Sequence, residues 1–306
     1  FVSDRKLRGA VGRSSQDGNN GYYGAQAVYV LNTLTSYGGN NYLQMSQPGN
    51  ENLDWERTIT YDAGLDLEMF DRRVKVTLDY FYKKTTNMLF SSDLPLYTGY
   101  TKENQNIADM MNQGIDFQLV TQNFVGKDFQ WQTILNLSRS TNKILKLNFE
   151  GNQMDQANSS YKYYAVGYPV AQWYLHEWVG VDPMTGDPLW RYKDGTISSI
   201  PPGANYATSQ ANKFVKGTAM PDVYGSMTNT LSYKDFELDF MFTFALGSRM
   251  MNSTRASLLT YTQSEAWNLS SDIMNMWQLP GQHTDIPRLQ NNSIIGGNDY
   301  TAAITT

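Results

Sequence analysis

Hydrophobic and polar residues alternate along several long segments of the chain. Between Trp55 and Phe70, apolar side chains occupy one parity and polar or small ones the other, and the alternation resumes from Val74 to Lys83 after a short turn. Successive side chains of a β-strand point to opposite faces, whereas a helix would scatter both sets around its surface. The pattern therefore predicts a long antiparallel hairpin.

The same periodicity predicts two further hairpins and one more strand. These are Ile115–Leu119 with Phe129–Leu137, Val223–Tyr233 with Phe236–Leu246, and Lys6–Arg13 by itself. One face of the strand at Phe236–Leu246 carries four phenylalanines, namely Phe236, Phe240, Phe242 and Phe244. The elements together predict an all-β, antiparallel protein.

The predicted connections alternate between tight turns and long loops. The long ones are Ser14–Asp54, Lys84–Asn112, Thr141–Met220 and the part from Gly247 onward. Aromatic residues flank the tight turns and approach the other strand ends; they are Phe70, Phe124, Phe129, Tyr233 and Phe236, and Trp55, Tyr80 and Tyr82. This arrangement is typical of an outer-membrane β-barrel. A soluble β-sandwich is the alternative, but its strands are typically ~5 to 6 residues long, roughly half the length predicted here.

The composition narrows the classes of function. The 306 residues contain Lys+Arg 24 and Asp+Glu 29, a net charge of −5, with no cysteine and only two histidines, His176 and His283. We therefore expect no cofactor, no metal site and no nucleic-acid partner. No nucleophile stands beside a base at a usable spacing, and no glycine-rich loop is suited to a phosphate. The sequence thus predicts that the chain is not an enzyme.

Polar residues on one parity of the hairpin strands are candidates for the lining of a barrel lumen. They are Asp62, Asp66, Glu68, Lys75, Asp79, Asp116 and Gln118. Paired carboxylates also serve glycosidases, but the lumen face of a barrel is polar by default, which accounts for these residues without catalysis. The acidic segment Asp182–Asp187 lacks the ligand order of a calcium loop and predicts a Pro/Gly turn.

Aromatic residues cluster in the longest predicted loop and recur in the last one. They are Trp173, Tyr174, Trp178, Trp190 and Tyr192, followed by Trp267 and Trp277. An aromatic ring offers an apolar face with a polar edge, so these residues are candidates for contact with a substrate or a partner protein. Packing of the loop against itself accounts for them equally well.

Six motifs occur along the chain in a fixed order, at Asn52–Thr58, Gly64–Asp66, Arg73–Thr85, Asn112–Asp116, Asp182–Leu189 and Pro221–Thr230. Together they resemble the SusC/RagA-type TonB-dependent outer-membrane transporters. The resemblance implies that residues 1–306 are part of a single transmembrane β-barrel domain with long extracellular loops, in a barrel of about 22 strands.

The resemblance also implies a function and partners. It implies a multi-pass protein surrounded by outer-membrane lipid, importing glycan or peptide ligands that a SusD-like surface lipoprotein delivers. The energy would come from TonB through a plug domain. Because only about seven strands are predicted, we expect the plug, the TonB box and the remaining strands to lie outside this chain.

Two other readings stay open at this point. One is a barrel of another class, such as an adhesin or a porin, without energy coupling. The other is a secreted glycan-binding β-protein, which predicts that the stripe from Phe236 to Phe244 is buried inside protein.

Overall fold

The computed structural model of the chain describes residues 2–17, 24–37, 40–94, 96–100, 102–148, 153–156, 161–170, 172–199, 212–259 and 268–288. The chain divides into two compact units. The first comprises Phe1–Met154, Ala165–Val170 and Asp222–Leu246, and the second comprises Asp155–Tyr164, Ala171–Pro221 and Gly247–Thr306. That all 306 residues are part of one barrel domain stays a prediction.

Long antiparallel strands make up most of the first unit. In chain order they are β1 (Val2–Gln16), β2 (Val28–Tyr37), β3 (Asn40–Gln47), β4 (Glu56–Met69), β5 (Val74–Asp93), β6 (Lys102–Val125), β7 (Phe129–Leu147), β14 (Val223–Tyr233) and β15 (Phe236–Leu246). Seven of them form one sheet in the order β1-β4-β5-β6-β7-β14-β15, and β2 pairs with β3 in a separate hairpin. A short 3₁₀ helix, Leu96–Thr98, lies between β5 and β6. All four predicted strand regions are confirmed.

The three tight turns lie where the sequence predicts them. The turn at 70–73 joins β4 to β5, residues 126–128 join β6 to β7, and Lys234 and Asp235 join β14 to β15. The backbone of Phe70, Asp71 and Arg72 has φ of 54°, 55° and 67°, so three consecutive residues adopt the left-handed conformation. Arg73 N–H donates to the Phe70 carbonyl at 3.1 Å and closes this turn.

The expectation of a long loop from Lys84 to Asn112 is wrong. Strand β5 continues to Asp93, β6 begins at Lys102, and the two stay paired up to Asp93 and Lys102. A bulge in β5 near Asn87, which has φ 58°, bends the strand without ending it. Pairing of backbone groups needs no alternating side chains, so the ladder continues where the sequence no longer maintains an apolar face.

The register of the seven strands separates two faces. Residues directly opposite each other in a ladder share a face, and one such row joins Leu7, Leu65, Leu78, Phe117 and Leu137. On this apolar face of the sheet, Leu7 is 83% exposed and Phe236 is 80% exposed. Phe240 and Phe242 are exposed as well, so the described residues do not enclose the phenylalanine stripe, contrary to the expectation for a secreted glycan-binding protein.

The buried side chains of the first unit lie away from the tight turns. Ile107 and Ala108 of β6 and Ile144 and Leu147 of β7 are buried near the far ends of their strands. The strand segments next to the tight turns have no comparable core among the described residues. Their apolar side chains gather on the exposed face, which is the distribution of a sheet that faces lipid.

The longest predicted loop contains a sheet of its own. Its strands are β8 (Gln153–Gln156), β9 (Lys162–Ala165), β10 (Gln172–Val181), β11 (Pro188–Arg191), β12 (Ile197–Ser198) and β13 (Lys213–Thr218). They follow the order β12-β11-β10-β9-β8, with β13 also paired to β10. The long connection predicted between the wall strands is confirmed, since β7 ends at Leu147 and its neighbour β14 begins at Val223, but it is not irregular. Its short paired strands give too brief an alternation to be recognised in the sequence.

Short helices follow β15 in the second unit. They are α1 (Ser253–Leu259) and a 3₁₀ helix at Ser271–Asn275, whose N-terminal Ser270 hydroxyl accepts the N–H of Asp272. Within the described ranges, no helix has the length and apolarity needed to cross a membrane.

Candidate functional site

The polar face of the seven-stranded sheet brings together all seven residues predicted to line a lumen. They are Asp62, Asp66, Glu68, Lys75, Asp79, Asp116 and Gln118, contributed by β4, β5 and β6. The register places Glu68 opposite Lys75 and Asp79 opposite Asp116. Because opposite residues share a face, the alternation read from the sequence put these side chains together correctly. That this face lines a lumen stays a prediction.

An arginine of β1, which the sequence reading did not single out, connects two of these carboxylates. Arg8 Nε lies 3.0 Å from Asp66 Oδ2, and Arg8 Nη2 lies 2.8 Å from Asp79 Oδ1. The bridge passes over Gly64, which is opposite both Arg8 and Asp79. A Cβ at Gly64 would collide with the Asp79 carboxylate and approach the Arg8 guanidinium to 2.9 Å. Gly64 therefore leaves the room in which this three-strand ion pair forms.

The other polar-face residues differ in their partners: Glu68 forms ion pairs, Gln118 forms a hydrogen bond, and Asp62 lies opposite uncharged residues. Glu68 pairs with Lys75 at 3.6 Å and with Arg72 at 3.4 Å. Gln118 donates to the Asn136 side chain at 2.9 Å. Asp62 is exposed and lies opposite Ala10 and Phe81. The face thus combines paired charges with an exposed carboxylate that has no charged residue opposite it.

Lysines surround two of the predicted contact aromatics in the second unit. Lys162 Nζ lies 3.2 Å from the centroid of the Trp173 ring, and Trp173 Nε1 donates to the Arg249 carbonyl at 2.7 Å. Lys193 Nζ lies 5.7 Å and Lys213 Nζ 6.0 Å from the centroid of the Tyr174 ring. Ammonium groups are attracted to the faces of aromatic rings. The sequence reading missed these lysines because they come from β9, β11–β12 and β13, which no motif connects.

The ring of Tyr174 lies inside this arrangement. It stacks on Tyr163 with centroids 4.5 Å apart, and its hydroxyl lies 3.4 Å from Lys193 Nζ. Tyr174 and Lys213 are 9% and 5% exposed, and His176 is buried on the same face of β10. Glu177 points to the opposite face and pairs with Lys216 at 3.0 Å. Tyr174, His176 and Lys213 thus form a buried polar cluster with a basic character.

The remaining predicted contact residues are spread over the second unit. Trp178 is half-buried and meets the fully buried Trp190 edge to face, with centroids 5.7 Å apart. Tyr192 is half-buried at the end of β11. Trp277 donates from Nε1 to the Pro183 carbonyl at 2.9 Å. Trp267 lies outside the described residues. All the described members take part in packing of the unit, and their contact with a ligand or partner stays a prediction.

The segment Asp182–Asp187 forms the turn between β10 and β11, as predicted. Gly186 N–H donates to the Asp182 carbonyl at 2.8 Å, and Asp182 N–H donates to the Asp187 carbonyl at 2.8 Å. Arg288 approaches Asp187 Oδ1 with Nε at 2.9 Å and Nη2 at 2.8 Å. The Asp187 carboxylate therefore fixes residues near the C-terminal end of the described chain onto this turn.

Two groups of the second unit have displaced pKa values. Hydrogen bonds from the backbone N–H of Thr196 and then from its hydroxyl hold the pKa of Asp194 below its ordinary value. Burial lowers the pKa of Lys162. Both effects are local, since Asp194 lies on a short hairpin and Lys162 lies next to the ring of Trp173.

Strands with one lipid-like apolar face and one polar face, joined by tight turns at one end, define this chain as a β-barrel wall segment. Residues 1–247 match the family model described as "TonB dependent receptor-like, beta-barrel". The chain belongs to this family, whose members are transporters of the outer membrane.

Relatives and solved structures agree with the family match. TonB-dependent receptor P3 of Formosa agariphila is 31% identical over 257 residues, which are 78% of this chain and 25% of that protein. The TonB-dependent receptor SusC of Bacteroides thetaiotaomicron is 28% identical over 278 residues, 85% of this chain and 25% of SusC. A structure of the RagAB peptide transporter superposes with a TM-score of 0.81 at 25% identity, covering 95% of this chain and 32% of that one. The chain thus spans about a quarter to a third of the proteins it matches.

Proposed function

We propose that the chain is part of a SusC-type, TonB-dependent importer that carries glycan or peptide ligands across the outer membrane. The observation that carries the proposal is the seven-stranded sheet with one exposed apolar face and one polar face, in a chain of the TonB-dependent receptor family. An apolar outer face is stable against lipid, and a polar inner face is stable against water and a hydrophilic ligand. The multi-pass location in the outer membrane is part of this proposal.

The polar face lines the route of the ligand or faces the plug domain. Asp62 and Asp116 are exposed carboxylates on this face, and Arg8 links Asp66 and Asp79 across β1, β4 and β5. Such a surface gives hydrogen bonds and charge to a passing ligand without a single strong binding site. The pull of TonB acts through a plug region, so the described strands contribute the wall and not the energy coupling.

The second unit provides contacts with the ligand or with a SusD-like lipoprotein. Trp173 is half-buried beside Lys162, and Trp178, Tyr192 and Trp277 are half-buried too. Half-exposed aromatic rings with neighbouring cations are suited to stacking on sugars and to packing against a partner protein. The buried rings of Tyr174 and Trp190 support this surface from inside the unit.

Import by the full-length protein in its native host tests the proposal. A strain lacking the gene is complemented with the wild-type gene, and uptake of labelled oligosaccharides and oligopeptides is measured with and without TonB. We expect uptake of one ligand class to require both the gene and TonB, and a lipidated partner to co-purify with the protein from outer membranes. Uptake that persists without TonB would show a passive porin, and no effect on any uptake would favour an adhesin.

A further inference from the structure

Three cations on the apolar face of the sheet lie in one row far from the tight turns, while Arg5 and Arg139 lie on the same face nearer the turns. The register aligns Arg13, Ile59, Lys84, Met111 and Lys143 across five strands from β1 to β7. Residues opposite one another share a face, so Arg13, Lys84 and Lys143 lie on the same side as the leucine and phenylalanine side chains. These three cations are called the basic row below.

The described residues supply no counter-charge to the basic row. Every other described cation of β1, β4 and β5 that forms an ion pair does so on the polar face or beside the connections, as Arg8 does with Asp66. Within the described ranges, no carboxylate lies within 4.0 Å of a nitrogen of Arg13, Lys84 or Lys143. The acidic residue next along β6, Asp109, accepts the backbone N–H of Asn87 through Oδ1 at 3.2 Å. The row is therefore open to an external anion.

The height of the basic row above the tight turns matches the height of the apolar band of a membrane barrel. Lys84 is ten positions beyond Val74, where β5 leaves its tight turn. At about 3.3 Å per residue and a strand tilt of about 40°, this places Lys84 about 25 Å above the turn, which is the height of the apolar band of an outer-membrane barrel. Tyr61 and Tyr82 lie one row nearer the turns, with ring centroids 6.4 Å apart, at the position of an interfacial girdle.

A groove in the apolar face begins directly beside these tyrosines. It has a volume of about 340 Å³ and is lined by Gly9, Ala10 and Val11 of β1, Tyr61, Asp62 and Ala63 of β4, and Tyr80 of β5. Gly9 and Ala63 lie opposite each other and form its floor, because neither has a large side chain. This groove lies two rows from Arg13 and Lys84, and its mostly apolar surface is suited to contact with one acyl chain.

We propose that this part of the chain binds a phosphate-bearing lipid of the membrane leaflet at the strand ends far from the tight turns. An acyl chain occupies the groove at Gly9 and Ala63, and the phosphate lies between Arg13 and Lys84. The lipid is favoured over a second protein because the cations and the groove combine a headgroup contact and a hydrocarbon contact at the spacing of one amphipathic molecule. This inference rests on the proposed location in the outer membrane.

The test measures lipid binding to the full-length protein extracted in folded form from outer membranes. Native mass spectrometry follows adducts of phosphatidylglycerol and of phosphatidylcholine with the same acyl chains. We expect phosphatidylglycerol to remain bound under conditions that remove phosphatidylcholine. The double variant Arg13→Gln/Lys84→Gln should lose about 30-fold in affinity for phosphatidylglycerol, since a cation near a lipid surface contributes about fivefold.

Matched variants distinguish the effect of the basic row from that of net charge, and the effect of the groove from that of a bulky substitution elsewhere. Lys6→Gln/Lys83→Gln removes the same charge from the same two strands on the polar face and should leave lipid binding unchanged. Gly9→Leu fills the groove, because a Cβ there meets only the Asp62 carbonyl at 4.0 Å, and it should weaken both lipids. Gly12→Leu, on the opposite face with open space around it, is its control.

Each remaining outcome is decisive. Equal binding of the two lipids, or equal losses in the two double variants, would overturn the site. A variant that no longer shows heat-modifiable migration in electrophoresis has not folded and is replaced by Arg13→Gln alone, with an expected loss of about fivefold. If TonB-dependent uptake is present while the lipids bind equally, only the lipid site fails. If the protein does not fractionate with the outer membrane, the proposed function fails as well.

Discussion

At the turn between β10 and β11, a single glycine determines where the indole of Trp277 lies. Gly186 has φ 73°, and a Cβ there would collide with the Trp277 ring. We expect Gly186→Ala to destabilise the second unit by about 1–3 kcal/mol through backbone strain and displacement of the ring. Tryptophan emission and hydrogen exchange of residues 277–288 would report the loss. Gly195→Ala is the control, since Gly195 has φ 89° with open space around it and tests strain alone.

The stability of the hairpin at Asp194 should depend on pH. Its carboxylate accepts the Thr196 N–H at 2.9 Å and the Thr196 hydroxyl at 2.7 Å, which hold the pKa of Asp194 below its ordinary value. A carboxylate with a lowered folded-state pKa stabilises the hairpin above its unfolded value, and the contribution is lost as the pH falls through the folded value. Hydrogen exchange at residues 192–198 should be slower in the wild type than in Asp194→Asn at about pH 6, and equal well below about pH 4. A difference that stays constant with pH would contradict this.

Among the elements, the far ends of β4, β5 and β6 are joined by one amide side chain. Asn106 accepts the Asp54 N–H at 2.7 Å and donates to the carbonyls of Asp54 at 2.8 Å and Asn87 at 2.6 Å. We expect Asn106→Ala to cost about 2–3 kcal/mol, at about 1 kcal/mol per hydrogen bond, and to speed hydrogen exchange in 52–58 and 85–90. Gln105→Ala is the control, because among the described residues the Gln105 side chain bonds to Glu103 alone, two positions away. Equal effects of the two would argue against the connection.

The buried side-chain amide of Asn229 on the apolar face leads to a second prediction about the strands. Asn229 Oδ1 accepts Trp131 Nε1 at 3.0 Å and the Thr133 hydroxyl at 2.7 Å, and Asn229 is 5% exposed. Asn229→Ala leaves both donors without that acceptor where water is scarce, so we expect a loss of about 1–3 kcal/mol in denaturant unfolding of the full-length protein in lipid. Asn136→Ala, on the polar face, should cost less because water replaces its partners.

The sequence predicted these elements to different extents for physical reasons. Alternation from Ile59 to Met69 follows from a sheet with one apolar and one polar face, so the long strands and the set of side chains that share the polar face were predictable. Beyond Lys84 that requirement ends, and the polar extension of β5 and β6 is held by backbone pairing and by side chains such as Asn106, which leave no period. The motif at Asn52–Thr58 is one of those that carry the family resemblance, and its Asp54 is hydrogen-bonded to Asn106. The lysines around Tyr174 come from separate strands and give no signal in the sequence.

For the whole molecule, the two free edges of the sheet decide whether these seven strands are stable in lipid without further strands. The strand order ends at β1 and β15, and no described strand pairs with the outer edge of either. Unpaired backbone groups in hydrocarbon cost several kcal/mol each. In the proposed membrane location both edges would therefore need further strands, and the matched family members are three to four times as long as this chain.

We therefore expect the 306-residue chain, exported and extracted by itself, to show no heat-modifiable monomer band, whereas the full-length protein shows one. The two proteins are compared under the same export signal and in the same lipid, so a difference reports the edges and not the delivery. A compact monomer formed by the 306 residues would mean that β1 pairs with β15 and that seven strands close on themselves. In that case the polar face would enclose too narrow a space for a plug, and the importer proposal would fail with it.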